Sequence, residues 1–502
     1  MNEMNHLSAL DAGFLHMETA ETPMHVGSLH HFEMPDGYAG NWFEDVKAHV
    51  AQRMHLAPVF TRKLAAMPFE LANPIWIEDD DIDLDQHIRH VTLPAPYSEV
   101  RLHALIARLH STLLDRSRPL WEFYAIDGLP GNSRAFYMKL HHAGIDGKAG
   151  VAFASAMFDA TPEPRVIRKP HRRKSAGRYQ LGFAELLGAA VQNNVAQTAK
   201  LVTMLPRTAR AMYAAWDEGN KEWAKGAASN GLLAQLKTMK FKAAPRTPFN
   251  VTITNQRSFT GVSLLVDDVK RVAKLHGASV NDVGMWICST ALRRYLKDAN
   301  ELPDESLMAA VPISVRAEGD TSANNQVTMG RVELFTNEGD PLKRLAGIKA
   351  SAQEMKQNAG GMRGAIPMDF PSLGVPMLAS GMASLMGRSK LSERLPAVAN
   401  VLISNVPRPR EPLYMAGGKM TTYLPVSAIS HGMALNMTIH GYNDQLAFGL
   451  LACRRTVPDI EVLGSYILPA FEELCILSQH VAVRDATAKP PEKRRPEKAS
   501  AA

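Results

Sequence analysis

The sequence predicts a mixed α/β protein in two domains, and three observations carry that prediction. At 502 residues the chain is long for a single hydrophobic core. Strand-like and helix-like patterns alternate in both of its halves, and a basic, Ala-rich stretch of different texture lies between them. The expected boundaries are an N-terminal domain over 1–164, a basic and helical linker over 165–245, a C-terminal domain over 246–484 and a disordered tail over 485–502.

In the first half, "WFEDVKAHVAQRMH" and "SEVRLHALIARLHSTLL" read as amphipathic helices, the second with Leu102, Leu105, Ile106, Leu109 and Leu113 near one stripe. Pro119 follows a few residues later, where it helps prevent the helix from continuing. "WEFYAIDG" and "RAFYMKLHH" are aromatic-rich strand candidates separated by "LPGNS", whose Pro-Gly-Asn is a turn signal, so they read as a β-hairpin. Arg165, Arg168, Lys169, Arg172, Arg173, Lys174 and Arg178 then form a run without an acidic residue. It reads as a solvated linker or as a contact for acidic lipid or a phosphorylated ligand. An Ala-rich, helix-favouring segment with a break at Pro206 follows.

In the second half, "FTGVSLLV" is a strand, and "DDVKRVAKLHG" a helix with acidic residues at its start and glycine at its end. "SVNDVGMWICSTALRRYL" is a helix in which Ser279 and Asp282 have capping-box spacing. "LMAAVPI", "QVTMGRVELF", "NVLISNV", "ALNMTIHGY" and "LAFGLLA" are strand candidates, and "DIEVLGSYILPAFEELCILSQ" is a closing helix. The Pro- and charge-rich segment from Asp485 lacks the apolar residues a packed element needs.

Hydrophobic content of 46% and charged content of 21% are ordinary for a globular protein. A net charge of +6 and a pI near 9.0 favour acidic partners without naming one. The basic residues cluster in one linker without interleaved aromatics, which speaks against nucleic acid. Cys288, Cys453 and Cys475 have no C-x-x-C spacing, so no disulfide framework is expected. The N-terminus lacks a basic-then-apolar leader, and no run of about 18 apolar residues occurs. The expected location is the cytoplasm, peripheral at the inner face of the membrane or on lipid inclusions.

The stretch "KLHHAGIDGKAG" places His141, His142 and Asp146 within six residues. Four readings compete. A metal site would need a third ligand, and an Asp before a glycine suits a turn better than a ligating helix face. A nucleophilic triad needs an activated Ser or Cys, and no G-x-S-x-G is present. A satisfied core histidine explains one ring but not both, since neighbours on a strand point to opposite faces. A general base needs one neutral imidazole within reach of a substrate hydroxyl and a frame that fixes its tautomer.

"HHAGIDG" matches the HHxxxDG motif of the chloramphenicol acetyltransferase-like acyltransferases. "LSALDAGFLHMETAETPMHVGSL", "PLWEFYAIDGL", "SVNDVGMW", "VPISVR", "DPLKRLAGIKAS" and "SNVPRP" stand in order along the chain. Together they resemble the bacterial wax ester synthase/diacylglycerol acyltransferase family from about residue 5 to 480. Arg408 departs from the glycine common in that family. The resemblance implies two chloramphenicol acetyltransferase-like domains, each a mixed sheet with helices, joined by a helical linker with a tunnel between them.

By the same resemblance, His142 would be the general base that takes a proton from an acceptor hydroxyl as it attacks the thioester of an acyl-CoA. His141 and Asp146 would support it, with Gly147 permitting the turn. Pro119, Leu120 and Trp121 match the PLW motif, and a helix stop before an apolar strand explains them equally. Asn281 and Asp282 match the ND motif. Asp282 reads as a helix cap and Asn281 as a candidate oxyanion donor, with Ser404 and Asn405 as rivals. Glu18 matches an acidic residue of the N-terminal motif and otherwise reads as a surface helix residue. Met368, Met377, Met382 and Met386, within 364–387, suit a lipid-lined wall or an ordinary helix core.

The expected activity is an acyl-CoA-dependent O-acyltransferase making wax ester or triacylglycerol from fatty alcohol or diacylglycerol. It would use no metal and no cofactor, with acyl-CoA as co-substrate. The alternatives are a non-catalytic lipid-binding paralogue, against which an intact HHxxxDG counts, and a condensation-type enzyme, which usually sits in a multidomain chain.

Overall fold

Two six-stranded sheets organise the chain, and the computed structural model describes residues 7–65, 67, 72–79, 81–145, 147–168, 243–314, 327–362, 389–406, 409 and 411–488, with a few positions between 182 and 192. In the first half, helix α1 (Ala9–Met17) precedes β1 (His25–Glu33), and α2 (Trp42–Arg53) precedes the small hairpin of β2 (Arg62–Ala65) and β3 (Ile75–Glu78). The short α3 (Leu84–His87), β4 (Ile88–Thr92), α4 (Glu99–His110), β5 (Trp121–Asp127), β6 (Ser133–His141) and α5 (Gly147–Met157) complete it.

The second half contains β7 (Arg257–Leu265), α6 (Val266–Leu275), α7 (Val280–Asp298), β8 (Met308–Ser314), β9 (Val327–Glu333) and α8 (Pro341–Met362). After them come β10 (Val401–Val406), β11 (Tyr414–Met415), β12 (Gly418–Val426), β13 (Leu435–Tyr442), β14 (Gln445–Cys453), α9 (Ile460–Ser465) and α10 (Ile467–Ala488). The expected hairpin of β5 and β6 pairs antiparallel, Phe123 opposite Met138. The capping box at Ser279 and Asp282 is present with both hydrogen bonds made, at 3.1 and 2.8 Å.

Several elements differ from expectation. β1 was not read as a strand, because "HVGSLHHFE" carries five polar or glycine positions that the fold buries or half-buries. The closing helix is two, α9 and α10, and α10 continues through Ala488, past the expected tail start at Asp485. Most importantly, β11 and β12, although they lie within 246–484, belong to the first sheet, whose order is β11-β12-β1-β6-β5-β4. The second sheet runs β7-β14-β13-β10-β8-β9.

The exchange of β12 welds the two halves together. It pairs antiparallel with β1, Leu29 opposite Leu424, while its other side rests on the second sheet. Gly261 and Gly449 face each other across β7 and β14 beneath it. A Cβ on Gly449 would lie 1.9 Å from the Pro425 carbonyl oxygen, and one on Gly261 would meet the Leu424 side chain at 2.4 Å. Only glycine permits so close a crossing. Leu29, Tyr137 and Leu424 then share one core with Phe259, Leu451 and Cys453. The crossing segment is also tied down at Asp159, which exchanges two backbone hydrogen bonds with Tyr414 and accepts a bidentate pair from buried Arg53 at 2.7 and 3.0 Å.

The expected helical linker, the methionine-rich segment 364–387 and Arg408 lie outside the described residues, apart from isolated linker positions. Of the basic run, Arg165 is accounted for: it folds back onto the Ser155 and Ala156 carbonyls at the end of α5 and lies 3.3 Å from Asp159. Among the described residues no helix is long and apolar enough to cross a membrane.

Candidate active site

Strand β6 delivers the two histidines to the end of the first sheet. His141 is its last residue and His142 opens a short 3-10 turn through Gly144. Neighbouring elements pin the backbone there, the His141 N–H donating to Leu120 O at 3.0 Å and the His142 N–H to Met24 O at 2.9 Å. The PLW segment therefore acts structurally. Leu120 holds the histidine strand, and Trp121 is buried, donates to Phe60 O and stacks on His87. Pro119 contributes a carbonyl to the turn that starts β5.

His141 is fully buried, and its Nδ1 accepts the Ala143 N–H at 3.1 Å. That places the ring proton on Nε2, which faces Glu18 Oε2 at 3.2 Å, an ion-pair distance short of linear hydrogen-bond geometry. Glu18 is itself buried, with its side chain only 2% exposed, so it is not a surface residue. It accepts the Met24 N–H at 2.9 Å and two bonds from Arg116, at 2.9 and 3.2 Å. Burial alone would raise its pKa, but His141, the Met24 amide and Arg116 outweigh that and hold it below the usual value. His141 is thus held behind the turn, its ring engaged on both edges by the Ala143 N–H and by Glu18.

The His142 ring is partly accessible and lies flat against Phe14 of α1, with centroids 4.0 Å apart and planes 9° from parallel. Its Nδ1 is buried and meets no other described residue. Burial pushes its pKa down to about 4, its own backbone carbonyl opposing the shift and His141 adding to it. With Nδ1 buried and without a hydrogen-bond partner among the described residues, Nε2 is the ring nitrogen left to meet a substrate. The turn thus presents a neutral imidazole, one free nitrogen outward, on a backbone fixed from two sides. Asp146, expected to support it, lies outside the described residues, and Gly147 begins α5 directly after.

The second half brings the rival oxyanion donors together. Asn405 Nδ2 donates to Asn281 Oδ1 at 2.9 Å, joining the end of β10 to the first turn of α7. Among the described residues Asn281 Nδ2 meets only the Met285 sulfur, at 4.0 Å, and keeps its hydrogens available. Ser404 is engaged with Thr438 at 2.8 Å. Among the described residues none of these groups bonds to the histidine turn. No three His, Cys, Asp or Glu side chains among the described residues are grouped to hold a metal ion.

Sequence reasoning missed Phe14 and Arg116. The signal for the first was partly present: Phe14 in α1 and Glu18 at its C-cap stand four apart, and each meets one of the histidines. Removing the aromatic cover tests this arrangement. In Phe14→Ala, water reaches the His142 ring and its pKa should rise from about 4 toward the ordinary value of about 6.5. A base works unprotonated, so the native protein should keep its kcat/KM down to pH 5. The variant should lose roughly tenfold between pH 7 and pH 5. A pH profile with an unmoved acid limb would contradict the role given to Phe14.

The profile of the wax ester synthase/diacylglycerol acyltransferase catalytic domain matches residues 7–284, and that of the family's C-terminal domain matches 323–475. A putative diacylglycerol O-acyltransferase of Mycobacterium tuberculosis is 35% identical over 471 residues, covering 93% of this chain and 99% of its own. An O-acyltransferase of Acinetobacter baylyi is 32% identical over 470 residues, covering 92% and 95%. The solved wax ester synthase/diacylglycerol acyltransferase from Marinobacter aquaeolei is similar with a TM-score of 0.67 at 27% identity, over 95% of this chain and all of that one. The first condensation domain of the calcium-dependent antibiotic synthetase follows at 0.52 and 13%, covering 95% and 96%, a likeness of fold alone. The motif order, the two sheets and these matches agree: the chain belongs to the wax ester synthase/diacylglycerol acyltransferase family.

Proposed function

We propose that this protein transfers a long-chain acyl group from acyl-CoA to the hydroxyl of a fatty alcohol or a diacylglycerol, with His142 as general base. Membership of the family makes it an O-acyltransferase, and the neutral, outward-facing Nε2 of His142 is the observation that supports this mechanism. Nε2 takes the hydroxyl proton as the oxygen bonds to the thioester carbonyl carbon. The tetrahedral intermediate then collapses, the C–S bond breaks, and the imidazolium returns its proton to the leaving thiolate.

An imidazole held near pKa 4 is ready at neutral pH but only weakly basic. The negative charge developing on the carbonyl oxygen favours the imidazolium and makes up part of that deficit. Asn281 Nδ2, with hydrogens to spare, is the candidate donor to that oxyanion. The acceptor's source is a lipid surface, a reading supported by Leu10 and Met17, which stand 36% and 44% exposed on the helix that carries Phe14.

The test is to mix purified protein with palmitoyl-CoA and hexadecanol, or separately diacylglycerol, and follow free thiol with the lipid product. Thiol release only in the presence of acceptor is expected. Release without acceptor would make it a thioesterase, and none with either acceptor would favour a lipid-binding paralogue.

A further inference from the structure

A basic pocket opens at the far end of β14, beside the loop that leads into β7. Its volume is about 530 Å³, and Thr254, Asn255, Gln256, Arg454, Arg455 and Pro458 line it. The two arginines follow Cys453 directly, on a tight turn. Thr456 and Val457 both donate to the Cys453 carbonyl, and the Arg454 N–H is bonded to Gln256 O at 3.0 Å. Arg455 is tethered to Thr252 O at 2.7 Å. Among the described residues the exposed Arg454 guanidinium meets no carboxylate and no carbonyl. The nearby Glu393 carboxylate accepts the Thr252 N–H at 3.1 Å and also acts on Arg455, which leaves Arg454 as the uncommitted cation. Two cations are therefore held on a rigid turn, one of them unspent, in a concavity large enough for a nucleotide. A planar guanidinium forks onto two oxygens of a phosphate at once, and a multiply charged phosphate gains from two cations held side by side.

The pocket is connected to the histidine turn through the segment after α1. Arg257, next to Gln256, donates to Glu21 O at 2.7 Å, and three residues on, Met24 O accepts the His142 N–H. Three residues of extended chain span at most about 11 Å. The pantetheine arm of CoA consists of a cysteamine, a β-alanine and a pantoate unit, each somewhat longer than one residue. The pocket rim and the histidine turn are thus tied to two points of one short segment, a separation on the scale of the pantetheine arm.

We propose that the pocket receives the phosphorylated nucleotide end of acyl-CoA, with Arg454 and Arg455 on its phosphates. The inference rests on the acyl-CoA reading above. It gives the net positive charge of the chain a specific place to act, since the family resemblance left the phosphate-binding residues open.

The decisive experiment compares two acyl donors in the acceptor-dependent assay: palmitoyl-CoA, and S-palmitoyl-pantetheine, which lacks the nucleotide. In Arg454→Ala the KM for palmitoyl-CoA should rise about tenfold, and in the Arg454→Ala/Arg455→Ala pair up to about a hundredfold. The kcat/KM with S-palmitoyl-pantetheine should move less than about twofold, because that donor never reaches the arginines. Adenosine 3′,5′-bisphosphate should compete with palmitoyl-CoA in the native protein and lose that effect in the variants. Arg454→Lys, which keeps the charge without the fork, should fall between. Unchanged KM for palmitoyl-CoA overturns the assignment. So does parallel loss with both donors, the result expected of a pocket serving an anionic lipid headgroup or the fold alone. If the native protein turns over neither donor, the acyl-CoA reading itself fails, a result distinct from a variant that behaves like the native protein.

Discussion

Replacing His142 with alanine is expected to lower acceptor-dependent thiol release by about 10²–10⁴-fold, the range that positioned general-base catalysis supplies. The loss should fall on kcat more than on KM, because an alcohol is a poor nucleophile until its proton has somewhere to go, whereas binding of two long chains draws on apolar contacts elsewhere. The side chain carries little of the fold. Its ring makes no hydrogen bond to another described residue and packs on one aromatic face. The alanine variant should accordingly unfold within about 1 kcal/mol of the native protein. Urea denaturation alongside the thiol assay checks both halves of this expectation. Activity within threefold of native at unchanged stability would remove His142 from the mechanism.

Glu18→Ala should produce the opposite pattern, a protein damaged in both respects. The native carboxylate is buried and faces three groups at once: His141 Nε2, the Met24 amide and the Arg116 guanidinium. Taking it away strands two buried donors, each costing about 1–3 kcal/mol, while Arg116, 45% exposed, can turn to water. A loss of about 3 kcal/mol in unfolding free energy is the sum expected. Activity measured well below the unfolding midpoint should still fall, because misplacing a catalytic group by about 1 Å costs on the order of 10²-fold. Glu18→Gln keeps an acceptor for the Met24 amide and should recover part of both losses. A variant as stable and active as the native protein would show that the frame around His141 is dispensable.

The helices and most strands of the second sheet were legible because each buries one face or lies wholly inside, so its pattern is local. The hairpin that ends in the histidines was legible through its Pro-Gly-Asn turn. β1 was not, because its identity depends on partners more than a hundred residues away, β6 on one side and β12 on the other. Glu18 could not be settled for the same reason. An acidic residue at a helix end looks solvated until Arg116 and His141 are brought to it by the fold. The pairing of Asn281 with Asn405 likewise spans 124 positions and leaves no trace in spacing.

Because β12 is the neighbour of β1, a nascent polypeptide has to emerge past Val426 before the sheet bearing the histidines can close. Until then β1 offers a bare hydrogen-bonding edge from Gly27 to Glu33, the kind of edge that recruits strands from other molecules. Cutting the gene between its two halves should therefore yield sticky fragments and no working enzyme in either, while producing both pieces together in one cell offers each its missing strand.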